Sequence, residues 1–316
     1  MQENSISTIG QSYKQSAKLM GNHFEITVVS EDEAMANYYI GLAIAEIQRI
    51  EKLLTTFDEN SETNLINQNA GIQPVKVSDE IIALIIRSLR ISKLTQGAFD
   101  ISYGSIDKQL WNFDTNMKKL PDAETAKNMV RLINYRDIIV DDKAQTVFLK
   151  EKGMRIGFGG IGKGYAAEKA KQVLLDKGVN SGIVNASGDL TAWGYQPDGS
   201  PWTIGIAHPD MVDLPFSYMN ITNMAVATSG NYEKYVVIKG KKYSHTINPR
   251  TGMPVTGIKS VTIICNNAEM ADALATPVTI MGIESGLYLI NQLKGIGCII
   301  IDDNNQLFTS KNINLA

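Results

Sequence analysis

An α+β fold of mixed sheets with packed helices is predicted from three features. Stretches of helical and of strand periodicity both occur, the strands gather into runs in the second half of the chain, and no repeat or low-complexity linker separates them. The 316 residues are 44% hydrophobic and 20% charged, enough for a sizeable core.

Residues 1–17 are polar and unpatterned and are expected to form a flexible tail, with one domain over 18–316. The segment His23 to Val29 (HFEITVV) alternates as a strand does. Ile40, Ile44, Ile47 and Leu54 then mark one stripe of a long amphipathic helix, which Thr55 to Asp58 ends. Ser78 is placed to cap a second helix that carries Ile82, Ile85 and Leu89 and stops at Gly97. Short strands follow at DIIV, TVFL and MRIGF, separated by Asp141, Asp142 and Gly153. After a glycine cluster (Gly157 to Gly164), Ala166, Ala170, Val173 and Leu174 give a helix that Gly178 terminates, and Gly182 to Ala186 reads as a strand. WTIGIA, MAVATS, KYVVI, YSHTI and SVTIIC continue as strands, before helices through MADALATPVTIMG and SGLYLINQL and a last strand pair.

Charge removes several function classes. With 30 Lys+Arg against 33 Asp+Glu the chain has no basic field to collect nucleic acid or an anionic membrane, so a bound anion must be held locally. No apolar run reaches the roughly 18 residues of a membrane-spanning helix. Cys265 and Cys298 lie in apolar strands and read as inert buried thiols, which excludes a disulfide framework. The histidines, His23, His208 and His245, are too scattered for a zinc cluster.

Three places can carry chemistry. Gly157, Gly159 and Gly162 satisfy a dinucleotide fingerprint, but no acidic residue ends the next strand. Gly157 to Lys163 also spells a phosphate-loop pattern, but Gly164 stands where that loop needs Ser or Thr. Either the glycines let helix and strand pack closely or, with Lys163, they cradle a phosphate. In Ala271-Asp272-Ala273-Leu274-Ala275-Thr276, a helix puts the Asp272 carboxylate and the Thr276 hydroxyl on one face. Two hard oxygens suit Mg²⁺; the competing reading is a helix-start carboxylate and a threonine bonded back to the preceding turn. His245 stands where a strand meets a turn built by Pro249, Gly252 and Pro254, and either reaches a cleft or is structural. His23 and His208 read as structural.

Taken together, these segments resemble the ApbE family of FAD:protein FMN transferases, from about Met20 to the last strand. The resemblance is carried, in order, by Met20-Gly21 on the first strand, by Phe57 with Ser61-Glu62 and Asn64, and by Gly97-Ala98-Phe99-Asp100. It continues through Gly159 to Tyr165, Asn185 to Asp189, Ala227 to Gly230, His245 with Asn248-Pro249 and Thr251-Gly252, and Ala271 to Thr276. It implies a fold related to the T-fold. It also implies magnesium held by Asp272, Thr276 and the Gly160 carbonyl, with FAD touched by Met20, Phe57, Ala98, Phe99, Asp100, Lys163 and Thr246. His245 is implied to lie near the reacting phosphate, where it is the candidate general base. The implied reaction places FMN on a Ser or Thr of an acceptor flavoprotein subunit and releases AMP. The alternatives are an FAD pyrophosphatase or a flavin-binding protein without turnover. Family members in diderm bacteria are commonly exported and lipid-anchored, so a periplasmic location is expected for the native precursor. Two positions depart from the family pattern: Gly157 stands where Asp is frequent and Asn248 where Asp is usual.

Overall fold

The structure, a computed structural model, describes residues 10–208, 211–230 and 235–313; at 206–208 and 211–217 only the backbone is described. Along the chain the elements run β1 (Gln11–Leu19), β2 (Asn22–Ser30), α1 (Glu33–Leu54), α2 (Glu62–Gln68), β3 (Val75–Lys76), α3 (Asp79–Leu94), α4 (Ala123–Met129), β4 (Ile138–Asp141) and β5 (Thr146–Leu149). They continue with α5 (Gly162–Asp176), β6 (Gly182–Ala186), β7 (Asp189–Trp193), β8 (Trp202–His208), β9 (Met211–Ile221), β10 (Met224–Gly230), β11 (Tyr235–Ile238) and β12 (Lys241–Ser244). The last are β13 (Ile258–Cys265), α6 (Ala268–Met281), α7 (Ile283–Ile290), β14 (Gly297–Asp302) and β15 (Leu307–Thr309). Mixed helices and sheets agree with the expected class.

The chain forms two compact units, one of residues 1–51, 163–227 and 264–271, the other of the remainder. In the first, strands pair in the order β1-β2-β6-β7-β10. Phe24, Ile26 and Val28 of β2 are fully buried, and α1 buries Ala36, Ile40, Ala43, Ile47 and Ile50 at helical spacing. Gly178, at φ +82°, ends α5 with Val179 N–H bonded back to the Leu174 carbonyl, the expected left-handed stop.

Two expectations are corrected here. The stretch assigned to a tail becomes strand β1 from Gln11 onward, paired residue for residue with β2; residues 1–9 lie outside the described residues. An edge strand draws its stability from the ladder and tolerates a polar sequence, so periodicity misses it. Met20-Gly21 is the turn between β1 and β2 and not part of a strand: Leu19 faces Asn22, with φ +51° at Met20 and +71° at Gly21. Such a two-residue turn needs left-handed backbone at both positions.

The second unit holds the sheet β3-β5-β4, the pair β11-β12 and the run β13-β14-β15. Ser78 caps α3 as expected, its side chain accepting from Ile81 N–H. MRIGF (Met154 to Phe158), expected as a strand, has no strand partner. It is extended, but its backbone pairs with side chains. Asn67 of α2 donates to the Ile156 carbonyl (3.0 Å) and accepts from Ile156 N–H (2.7 Å), while Arg155 N–H donates to Ser105 Oγ (2.8 Å) and Gly157 N–H to the Ile101 carbonyl (2.9 Å). The Asn67 amide does the work of a neighbouring peptide group. Asn67→Ala should therefore strand a buried N–H and a buried C=O at about 1–3 kcal/mol each, seen as a lower denaturant midpoint with unchanged slope.

Candidate active site

In the first unit, the register brings the implied residues to one end of the sheet. Phe24 pairs with Ala186, so the Met20-Gly21 turn and the Ser187-Gly188 turn of the β6-β7 hairpin lie at the same end. Ser187 (φ +56°) and Gly188 (φ +97°) repeat the left-handed pair, braced by Gly188 N–H on Asn185 Oδ1 (2.8 Å). Lys163, in the first turn of α5, forms an ion pair with the buried carboxylate of Asp189 at the start of β7. That partner was not foreseen, although Asp189 closes the segment Asn185 to Asp189. The pairing fixes the position of the Lys163 ammonium group.

In the second unit, the glycine turn is open. A Cβ at Gly159 would meet nothing within 4 Å, and one at Gly157 only Thr56 Cγ2 at 3.9 Å. Neither glycine, nor Gly160, has a positive φ. At Gly157 and Gly159 close packing and backbone strain therefore do not explain the glycine, which leaves approach by an outside group as the reason for bare backbone at these two positions. A Cβ on Gly160 would stand 3.6 Å from Cε2 of the buried Phe99 ring, an ordinary contact distance. There is room at Gly157 for the side chain that the family often carries.

Ala98 and Phe99 are buried, and Asp100 anchors the short 3₁₀ turn Ile101–Ser105. Its carboxylate accepts from Ser102 N–H (2.8 Å), Ser102 Oγ (2.6 Å) and Tyr135 N–H (2.8 Å). Burial pushes its pKa up, against the pull of those bonds. Asp100 thus holds the turn to the segment at Tyr135. Phe57 is the opposite case: it is 96% exposed on the loop before α2, a large ring that no neighbour covers.

His245 follows β12 and is exposed, with the Phe113 ring edge-on to it at 6.4 Å. Phe113, more than a hundred positions away, gave no signal in sequence. The carbonyl of the buried Thr246 accepts from Val255 N–H, and Ser244 N–H donates to the Val255 carbonyl. Beyond them Ile247 bridges Pro254, closing a hairpin on the loop Asn248 to Met253. Asn248 Oδ1 accepts Arg250 N–H at 2.9 Å, so the turn needs a side-chain oxygen and Asn supplies it as Asp does. Ile247 joins Met129 and Val130 in a small core flanked by Tyr103 and Trp111, and its N–H bonds Tyr103, seating the hairpin. The side chain of His208 lies outside the described residues; His23 is on β2, exposed.

Helix α6 presents Asp272, 6% exposed, and Thr276 one turn on. Asn267 Oδ1 and Glu168 Oε1 accept N–H groups at its start, from Met270 (2.9 Å) and Ala268 (2.7 Å). Thr279 does bond back, to the Ala275 carbonyl at 3.1 Å, whereas the Thr276 hydroxyl makes no hydrogen bond among the described residues. The back-bonded reading of Thr276 is thereby set aside. A buried carboxylate and an uncommitted hydroxyl on one face form a hard-oxygen donor pair suited to Mg²⁺. Cys265 and Cys298 are buried free thiols, pushed up to about 11 and about 12 by desolvation, and are inert as expected.

Comparison with known proteins gives the family. The ApbE family model matches residues 20–300. An FAD:protein FMN transferase of Klebsiella pneumoniae is 32% identical over 94% of this chain and 92% of its own length, and one of Escherichia coli K12 is 25% identical over 92% and 84%. The crystal structure of the ApbE protein of Thermotoga maritima superposes with TM-score 0.84 at 31% identity, over 95% of this chain and 97% of that one. The apo flavinyl transferase ApbE of Pseudomonas stutzeri gives 0.83 at 27%, over 96% and 95%. The chain belongs to the ApbE family.

Proposed function

We propose that the protein is an enzyme that transfers the FMN half of FAD to a Ser or Thr hydroxyl of an acceptor flavoprotein and releases AMP, using Mg²⁺. The observation that carries the metal is the pairing of a buried Asp272 with a Thr276 hydroxyl left out of its own helix's hydrogen bonding. Asp272, Thr276 and the Gly160 carbonyl would hold Mg²⁺, which neutralises charge on the pyrophosphate oxygens. Lys163, oriented by Asp189, adds a second positive charge, and the bare glycine backbone lets phosphate oxygens approach N–H groups. Phe57 offers a ring face to the flavin or adenine.

In the transfer, the acceptor oxygen attacks the FMN-side phosphorus, and the bond from that phosphorus to the bridging oxygen breaks. AMP leaves with that oxygen and takes up a proton. His245 accepts the proton of the attacking hydroxyl. Exposure of the imidazole, with Phe113 against its edge, leaves it reachable by a protein acceptor. His245→Asn is expected to lower the transfer rate by about 10²–10⁴-fold with FAD affinity unchanged; a wild-type rate across neutral pH moves the base elsewhere.

Incubation with FAD and Mg²⁺, with and without acceptor protein, tests the reaction as a whole. Protein-bound FMN with stoichiometric AMP supports transfer, free FMN makes the protein a pyrophosphatase, and intact FAD makes it a binder. The periplasmic, lipid-anchored location implied by the family likeness belongs to the same proposal. Recovery of the native precursor's product in the cytosolic fraction would refute it. No helix among the described residues is long and apolar enough to cross a membrane.

A further inference from the structure

The hairpin β11-β12 ends one residue before His245, and its composition departs from that of the chain. The whole protein carries net charge −3, yet Tyr235 to Ser244 contains Lys239, Lys241 and Lys242 and no Asp or Glu. None of the three has a carboxylate partner among the described residues. Two of them lie over aromatic rings, Lys241 at 5.6 Å from the Tyr243 centroid and Lys242 at 4.9 Å from that of Tyr235, which holds the charges at the surface.

The register sorts the hairpin into faces. Tyr235 pairs with Ser244 and Val237 with Lys242, so these four side chains share one face, on which Tyr235 and Val237 are exposed. Tyr235, Lys242 and Ser244 of that face line a small pocket together with Val255, Lys259 and Asp303. The Asp303 carboxylate accepts Gly257 N–H at 2.9 Å, and Lys259 Nζ donates to Asn305 Oδ1. The pair has the strand order β11-β12, so β11 is an edge able to accept an added strand.

We infer that this hairpin is the docking surface for an acidic, extended segment of the acceptor protein, delivering its hydroxyl to His245. The inference rests on the transfer reading above. Charge complementarity carries it: three lysines, two of them held over rings and none with a carboxylate partner among the described residues, attract carboxylates, apolar Tyr235 and Val237 supply contact area, and the next residue along the chain is the proposed base. An anionic membrane would meet the same charges, but it has no use for a strand edge or for a pocket beside a base.

The test uses the whole protein and a fluorescent peptide with a central threonine flanked by aspartates, beside the same peptide with asparagines. The acidic peptide should bind the wild type, prefer it over the asparagine version, and lose about tenfold or more in affinity in Lys239→Glu/Lys241→Glu/Lys242→Glu. FAD binding should not change in that variant. Equal binding of the two peptides, no binding of either, an unaffected variant, or binding to phosphatidylglycerol vesicles in place of peptide each overturns the inference. Loss of the transfer reading shows separately, as absence of protein-bound FMN when the wild type is given FAD, Mg²⁺ and acceptor protein.

Discussion

Asp272→Ala is expected to abolish Mg²⁺-dependent AMP release, lowering kcat by about 10³-fold or more, because it removes the one carboxylate of the proposed metal site. The position tolerates no substitute: Thr276 and a backbone carbonyl are neutral donors, and two neutral oxygens bind Mg²⁺ poorly against water. Thr276→Val, which keeps the shape and deletes the hydroxyl, should weaken metal binding without eliminating it. A readout independent of turnover is thermal unfolding. Mg²⁺ at a hundredfold its Kd should stabilise the wild type by about 2.7 kcal/mol and the Asp272 variant by nothing. Retained Mg²⁺-dependent AMP release in Asp272→Ala removes the metal assignment, while equal stabilisation of both proteins places the ion elsewhere.

The face shared by Asp272 and Thr276 was legible in sequence because i,i+4 spacing needs nothing but a helix. What sequence could not decide was whether Thr276 bonds back to its own helix, since that depends on one side-chain rotamer; Thr279 takes that option and Thr276 does not. Ser78 and Gly178 were legible for a similar reason, as caps are local chemistry. MRIGF failed as a strand because its alternation reports only that Met154, Ile156 and Phe158 are buried on one face, while Asn67 and Ser105 supply the backbone hydrogen bonds that neighbouring strands would have made. Met20 is an unusual residue for a left-handed turn, so propensity pointed away from the structure there. Helix α2 and strand β9 went unread, the first too short for periodicity to show. The Lys163 to Asp189 ion pair and the Phe113 contact with His245 join distant positions, which no local pattern encodes.

Gly252→Ala should cause the largest loss of stability among simple substitutions near the candidate base, and the reason is geometric. Gly252 sits at φ +69°, where a Cβ costs about 1–2 kcal/mol. That Cβ would also stand 1.8 Å from the carbonyl oxygen of Ala126 and 2.4 Å from its carbon, so the loop cannot remain against α4. Backbone on both sides of the contact leaves no flexible side chain to yield, and overpacking of this kind adds about 1–3 kcal/mol. The hairpin has two ways to respond. If it stays seated, denaturant unfolding should show a loss of about 3 kcal/mol or more. If it lifts, the loss is smaller, but Ile247 leaves Met129 and Val130, and the Asn248 and Val255 amides, bonded across the hairpin, exchange faster with solvent. In both cases His245 is displaced from Phe113, so transfer to an acceptor should fall further than FAD binding. Wild-type stability together with wild-type amide protection in Gly252→Ala would mean that the hairpin does not rest on α4.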